Sequence, residues 1–154
     1  MVCNDADAKA ALTDLQALLL TMWGEARGEP VEGRIAVGCV VRNRMRKSGR
    51  GAKSICLAKS QFSCWWTWGG QSNYTAVMDW AWKLGLGGVE PAGTVLDECA
   101  WLAQGLLGNR LRDRVKGATH YYSPAAMVPL GSVPGWAKGK TPVAEVGGHL
   151  FFRL

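Results

Sequence analysis

The chain has 154 residues, 48% of them hydrophobic, and a net charge of +6. This length fits one domain around one core, and the composition excludes a disordered chain. The apolar run before Trp23 is too short for a membrane span. Five cysteines, Cys3, Cys39, Cys56, Cys64 and Cys99, lack paired CxxC spacing, so neither a disulfide framework nor a zinc site is favoured. They read as small apolar residues in a reducing compartment.

The opening stretch MVCNDADAKAAL is acidic where a secretory signal is basic, so synthesis in the cytoplasm without a signal peptide is expected. Residues 9–26 read as one amphipathic helix, with Leu12, Leu15, Leu19, Met22 and Ala26 recurring at three- and four-residue steps. At about 100° per residue, Glu25 falls at the edge of this stripe, beside Leu18 and Met22. Gly28 and Pro30 end the helix, and Pro30 opens a second one through VEGRIAVGCVVRNRM, apolar almost all round as far as Val41. GRGAKS reads as a loop. NYTAVMDWAWKLG reads as a third helix, and GLGGVEPAG as the break after it. A fourth begins at Thr94 as N-cap, with Asp97 three residues on, and stops at Gly108 or Asn109.

From Lys116 the pattern changes. ATHYY and GHLFF are short, aromatic and β-prone, and can pair as a small sheet. The long loop between them holds four of the six prolines, and such a loop in a compact domain is often functional. Neither repeats nor linkers are visible, so one domain spanning 1–154 is expected, and a monomer.

Two compositional features suggest partners. Between Gly33 and Met78 there is no acidic residue, while Arg34, Arg42, Arg44, Arg46, Lys47, Arg50, Lys53 and Lys59 lie there. Such a segment is most simply a solvated face, but it also attracts polyanions, either nucleic acid or the acidic polymers of a bacterial envelope. Five of the eight tryptophans fall between Trp65 and Trp82. They suit core packing or a groove that stacks on sugars or bases, and adjacent Trp65 and Trp66 cannot both face one core if SCWWTWGGQSNY is regular.

Glu25 suits glycosidic cleavage. That chemistry needs a proton for the leaving oxygen, and an apolar wall is the simplest means of keeping a carboxyl protonated near neutrality. Most glycosidases add a second carboxylate. Glu29 would share a helical face with Glu25, but Pro30 disfavours helical geometry at Glu29, so the two are expected to diverge. Pairing of Glu29 with Arg27 or Arg34, or capping of the next helix, is the alternative.

The stretch MWGEARGEPVEGRIAVGCVVRNR resembles the opening signature of the SleB-like cell-wall hydrolases, which include spore-cortex-lytic enzymes and phage endolysins. QFSCW at 61–65, ATHYYSP at 118–124, PGWA at 134–137 and VGGHLFF at 146–152 follow in the family's order. The resemblance implies a mainly α (α+β), lysozyme-like, lytic-transglycosylase-like domain. It implies cleavage between N-acetylmuramic acid and N-acetylglucosamine, with Glu25 as the catalytic acid and no cofactor. In a lytic transglycosylase the muramyl 6-hydroxyl attacks and Glu25 serves as acid, then base. In a muramidase water attacks, positioned by Glu29 or Glu145. Gln61 and Ser63 are candidates for an acetamido group, and Phe62 is expected to pack inward. Trp65 and His120 are further substrate-binding candidates. Of Tyr121 and Tyr122 only one is expected to face the cleft, and Trp136 is a candidate sugar platform. His120 and His149 lack metal-ligand spacing and read as structural histidines, so no metal is expected.

Two departures stand out. Gly148 replaces the asparagine of many relatives, which removes a polar contact near His149. No peptidoglycan-binding repeat is visible in these residues and none is expected, so segment 34–59 is the candidate for holding anionic envelope polymers. These features suit a phage lysin that acts on peptidoglycan after release through a membrane lesion. A non-catalytic wall-binding or virion protein on the same scaffold is the alternative. Nucleic-acid binding through Arg42, Arg44 and Arg46 is set aside, because their helix is strongly apolar and carries no recognised motif.

Overall fold

The structure is a computed structural model that describes residues 2–67 and 72–154. The part of SCWWTWGGQSNY from Trp68 to Gln71 lies outside the described residues. Among the described residues, six α-helices precede a three-stranded sheet: α1 (Asp5–Ala11), α2 (Asp14–Ala26), α3 (Val31–Ser48), α4 (Ala52–Cys56), α5 (Ser72–Ala81), α6 (Thr94–Leu107), then β1 (His120–Tyr122), β2 (Ala144–Val146) and β3 (His149–Phe152).

The expected helix over 9–26 is two. Asn4 and Asp7 cap α1 reciprocally, and Thr13 and Gln16 cap α2 in the same way. Leu12, between them, is extended. The apolar periodicity crosses this break unchanged, because Leu12 and Leu19 both face the core. Helix α2 is also more central than an amphipathic reading suggests. Residues from Ala17 to Met22 are all buried, and the helix packs against α3, α4, α5 and α6. Helix α3 is buried as expected and beyond, from Gly33 to Asn43.

Three boundaries differ for local reasons. Helix α4 begins inside GRGAKS, and its Lys53 amide donates to Asp14 Oδ1 at 2.9 Å, so the cap comes from another helix. Helix α6 is capped by Gly93, at φ 110°, and Thr94 is its first residue, so the expected Thr94–Asp97 capping box does not form. After Ala81 the third helix widens into a π turn, Trp82–Leu86. There Gly85 lets α1 approach closely, since a Cβ would stand 2.8 Å from the Ala8 carbonyl oxygen.

ATHYY and GHLFF pair as expected, antiparallel, with Tyr121 opposite Phe151. The sheet order is β1-β3-β2. The unforeseen β2 joins β3 through Gly147 and Gly148, Gly147 having φ 58°. Alternation splits the sheet into two faces. Tyr121, His149 and Phe151 face the helices, where Tyr121 meets the Phe62 ring. His120, Tyr122 and Phe152 face away, under Trp136. Among the described residues no helix is long and apolar enough to cross a membrane.

Candidate active site

Glu25 sits in the last turn of α2, and three donors meet its carboxylate. Ser63 Oγ and the Cys64 amide donate to Oε2 at 3.1 and 3.0 Å. Tyr121 Oη donates to Oε1 at 2.7 Å. The expected apolar wall is therefore a polar cradle. The donors lie far along the chain, in the QFSCW stretch and in β1.

The QFSCW stretch forms this cradle because most of its side chains turn inward. Ser63–Trp65 is a 3-10 turn. Phe62 and Cys64 are fully buried, and the Trp65 indole Nε1 donates to Thr21 Oγ1 at 3.0 Å. These three anchors hold the Cys64 amide and the Ser63 hydroxyl against Glu25. Gly24 makes the approach possible. A Cβ there would stand 2.7 Å from Cys64 Cβ and 2.8 Å from Val77 Cγ2. The glycine of GEARGEP thus lets the turn reach the neighbouring glutamate. Asn73 Nδ2 donates to the Gly24 carbonyl at 2.5 Å, and its Oδ1 is buried with no hydrogen-bond partner.

Tyr121 is held by rings. Phe151, His149 and Phe62 lie 5.5, 5.3 and 6.5 Å from it, centroid to centroid. Burial, and then the Glu25 carboxylate, push its phenol well above the usual tyrosine value, so it remains a donor.

Glu29 lies past the end of α2 and is not helical, as Pro30 led us to expect. The Arg34 guanidinium donates to its main-chain carbonyl, not its carboxylate, and itself pairs with Glu98 at 2.5 Å. The Glu29 carboxylate lies against the β2–β3 turn, where a Cβ on Gly147 would come within 2.8 Å of Oε2, and 3.8 Å from His149 Nδ1. Arg27 instead covers the Trp23 ring at 4.2 Å. Glu145 is exposed and pairs with Leu150, on the sheet face away from Tyr121 and Glu25. That position does not suit water activation beside Glu25.

The remaining candidates separate. Trp65 is largely buried, only 7% exposed. Gln61 is exposed and accepts from Arg44 Nη1 at 3.1 Å. His120 contacts Thr119 Oγ1 through Nδ1 at 2.9 Å, and desolvation, then Arg44, Lys47 and Lys140, pull its pKa below 6.5. Tyr122 stacks on Phe152 at 5.9 Å, and Trp136 packs edge-on against both. Trp136, the candidate sugar platform, is half-buried over the sheet's outer face. Among the described residues no three His, Cys, Asp or Glu side chains gather as a metal site. Sequence missed the Cys64 amide, which carries no residue signature, and Asn73, which looks like any polar residue of a helix.

The basic segment does not present one face. Arg34 is bound to Glu98, and Arg42 is buried with Nη1 on the carbonyls of Leu106 and Leu111. Arg46 donates to Asn109 Oδ1, and the Lys53 ammonium to the Ala10 carbonyl. Arg44, Lys47 and Arg50 converge on a cavity of about 490 Å³ that Gln61 and His120 also line.

The profile of a protein family described as Cell Wall Hydrolase matches residues 28–152, beginning just past Glu25. No curated protein matches the chain in sequence. Among solved structures, it is similar to the catalytic domain of the germination-specific lytic transglycosylase SleB from Bacillus anthracis. Identity is 21% over 90% of this chain and 92% of that one, with a TM-score of 0.59. It is also similar to the catalytic domain of the Bacillus cereus SleB protein, at 22% identity over 90% and 88%, with a TM-score of 0.58. At these identities the likeness is one of fold, the mainly helical, lysozyme-like arrangement expected from sequence.

Proposed function

This chain belongs to the cell-wall hydrolase family, and from that premise we propose that it cuts peptidoglycan glycan strands as an endolysin-type lytic transglycosylase. The bond is that between N-acetylmuramic acid and N-acetylglucosamine, and Glu25 is the acid and base. The observation that carries this reading is the cradle itself: one carboxylate fixed by Ser63, Cys64 and Tyr121, with Glu29 turned to His149 and Glu145 on the far face of the sheet.

Two donors occupy Oε2 and one, Tyr121, occupies Oε1, so Oε1 keeps a free lone pair and is the oxygen that exchanges the proton. Protonated Glu25 delivers it to the glycosidic oxygen, the muramyl C1–O bond breaks, and N-acetylglucosamine leaves with its hydroxyl restored. The muramyl 6-hydroxyl then bonds to C1, its proton returns to Glu25, and a 1,6-anhydro ring closes. This sequence needs one carboxyl group and no water. Ser63, Cys64 and Tyr121 hold the carboxylate plane, so orientation is set before substrate arrives.

Mass spectrometry of soluble muropeptides released from purified peptidoglycan tests the reading. Products ending in 1,6-anhydromuramic acid are expected, and Glu25→Gln, which keeps the shape but has no acid proton, should release almost none. Reducing muramic ends would replace the transglycosylase with a muramidase and return attention to Glu29. Undiminished release by folded Glu25→Gln would overturn the acid assignment.

A further inference from the structure

The cavity lined by Arg44, Lys47 and Arg50 has no acidic residue in its wall. Its arginines bond only to neutral side chains and main-chain carbonyls, and Lys47 bonds to the carboxyl group of the last residue, Leu154. Arg44 Nε donates to the Thr119 carbonyl at 2.6 Å and Nη1 to Gln61. Arg50 donates to Ser54 Oγ and its carbonyl at 2.9 and 3.0 Å, and Lys47 to the main-chain oxygen of Leu154. None of the three forms an ion pair with an acidic side chain among the described residues, whereas Arg34 and Arg114 do. The positive field reaches His120, whose pKa falls through desolvation, then Arg44, Lys47 and Lys140. Desolvation likewise lowers Arg44, as expected of a cation half buried without an acid beside it.

The cavity and the Glu25 cradle draw on nearby stretches of chain, though His120 and Tyr121 face opposite sides of the sheet. Gln61 lies just before Ser63, and His120 precedes Tyr121. The Arg44 guanidinium stands 5.0 Å over the Phe62 ring, which itself meets Tyr121. Ile55 and Ala58 supply an apolar wall. About 490 Å³ suits a small group, not a polymer lying along a face. The ligand it fits is a carboxylate on a short aliphatic arm, offered by a chain already bound at Glu25. In peptidoglycan the sugars are neutral and the carboxylates lie on the peptides attached to muramic acid.

We propose that this cavity is a carboxylate-binding subsite for the acidic stem peptide of the muramic residue at the cleavage site. The proposal rests on the glycan-cleaving reading and adds to it a requirement for stem-bearing strands. Arg44 and Arg50 offer planar guanidinium donors, Lys47 a point charge. Because the stem is covalently attached to the bound strand, its carboxylate arrives at high effective concentration.

The test is co-sedimentation of the Glu25→Gln protein with three sacculus preparations: intact, with the stem-peptide carboxyls converted to amides by carbodiimide and ammonia, and freed of phosphate polymers by acid. Amidation of the stems should weaken binding about 10-fold, as should Lys47→Glu/Arg50→Glu on intact sacculi, with no further loss when the two are combined. Both positions are exposed, and the neutral pair Lys47→Gln/Arg50→Gln should give a smaller loss in the same direction. Equal binding to intact and amidated sacculi would overturn the proposal, as would charge reversal without effect. Loss only on phosphate removal would overturn it in favour of an anionic wall polymer. Muropeptides released into the supernatant by wild-type protein read the parent hypothesis separately. Stem-dependent binding without any glycan cleavage would refute that hypothesis and leave the subsite.

Discussion

Replacing Tyr121 by phenylalanine deletes one atom from the site. The ring keeps its contacts with Phe151, His149 and Phe62, while Glu25 Oε1 loses its donor at 2.7 Å. A hydrogen bond to a charged group is worth about 1.5–3 kcal/mol. If the bond holds the carboxylate in line throughout reaction, kcat/KM on purified peptidoglycan should fall by about 10- to 100-fold. The loss should lie mainly in kcat, because the phenol positions the acid and does not grip the strand. It should also stop short of the Glu25→Gln loss, since Ser63 and Cys64 still fix Oε2. Turbidity clearance gives the rate, and mass spectrometry confirms that the anhydro product is unchanged. Thermal unfolding should move little, because ring packing is retained. Wild-type kcat/KM in a folded Tyr121→Phe protein would refute the positioning argument. A loss as complete as that of Glu25→Gln would assign Tyr121 a direct chemical step.

Gly24→Ala should cost about 1–3 kcal/mol, because the new methyl must displace Cys64 or Val77. Activity below the unfolding transition should fall with it as the Ser63–Cys64 turn moves off Glu25, and an unchanged Tm would count against that packing. Thr21→Val leaves the buried Trp65 indole N–H without its acceptor, at about 1–3 kcal/mol. Urea unfolding reads this as a lower midpoint, and an unmoved midpoint rejects it. His120 should titrate below 6.5 in proton NMR, because desolvation and then Arg44, Lys47 and Lys140 oppose its charge. The folded protein then binds this proton less tightly than the unfolded chain. The stability it contributes is present above the ordinary histidine pKa and is lost as pH falls through the folded value. A midpoint at or above 6.5 would contradict that electrostatic picture.

Sequence carried the helical framework well wherever periodicity and burial agree. Helix α3 is buried where VEGRIAVGCVV is apolar, and the aromatic pair ATHYY and GHLFF does form ladder partners. It failed where one element caps or interrupts another. Asp14 starts α4 from a different helix, and the Thr13–Gln16 box cuts a stripe whose apolar spacing continues across the cut. Motif resemblance reached Ser63 and Tyr121 but not their task, because they meet Glu25 from 38 and 96 residues away.

What the sequence determined by itself was therefore the chemistry available. A glutamate ends a buried helix, a proline turns its neighbour aside, and an acid-free stretch of arginines and lysines follows. These depend on residue type and local spacing, which a chain displays directly. Only the tertiary structure decided how those groups are used. It put Trp65 in the core and Trp136 over the outer face of the sheet. It locked Arg34 and Arg42 inward and left Arg44, Lys47 and Arg50 around one cavity. It also surrounded Glu25 with donors where sequence suggested apolar side chains. The physical reason is that a main-chain amide such as that of Cys64 belongs to every residue alike. Its direction is set by the burial of Phe62, Cys64 and Trp65 around it and by the room that Gly24 leaves.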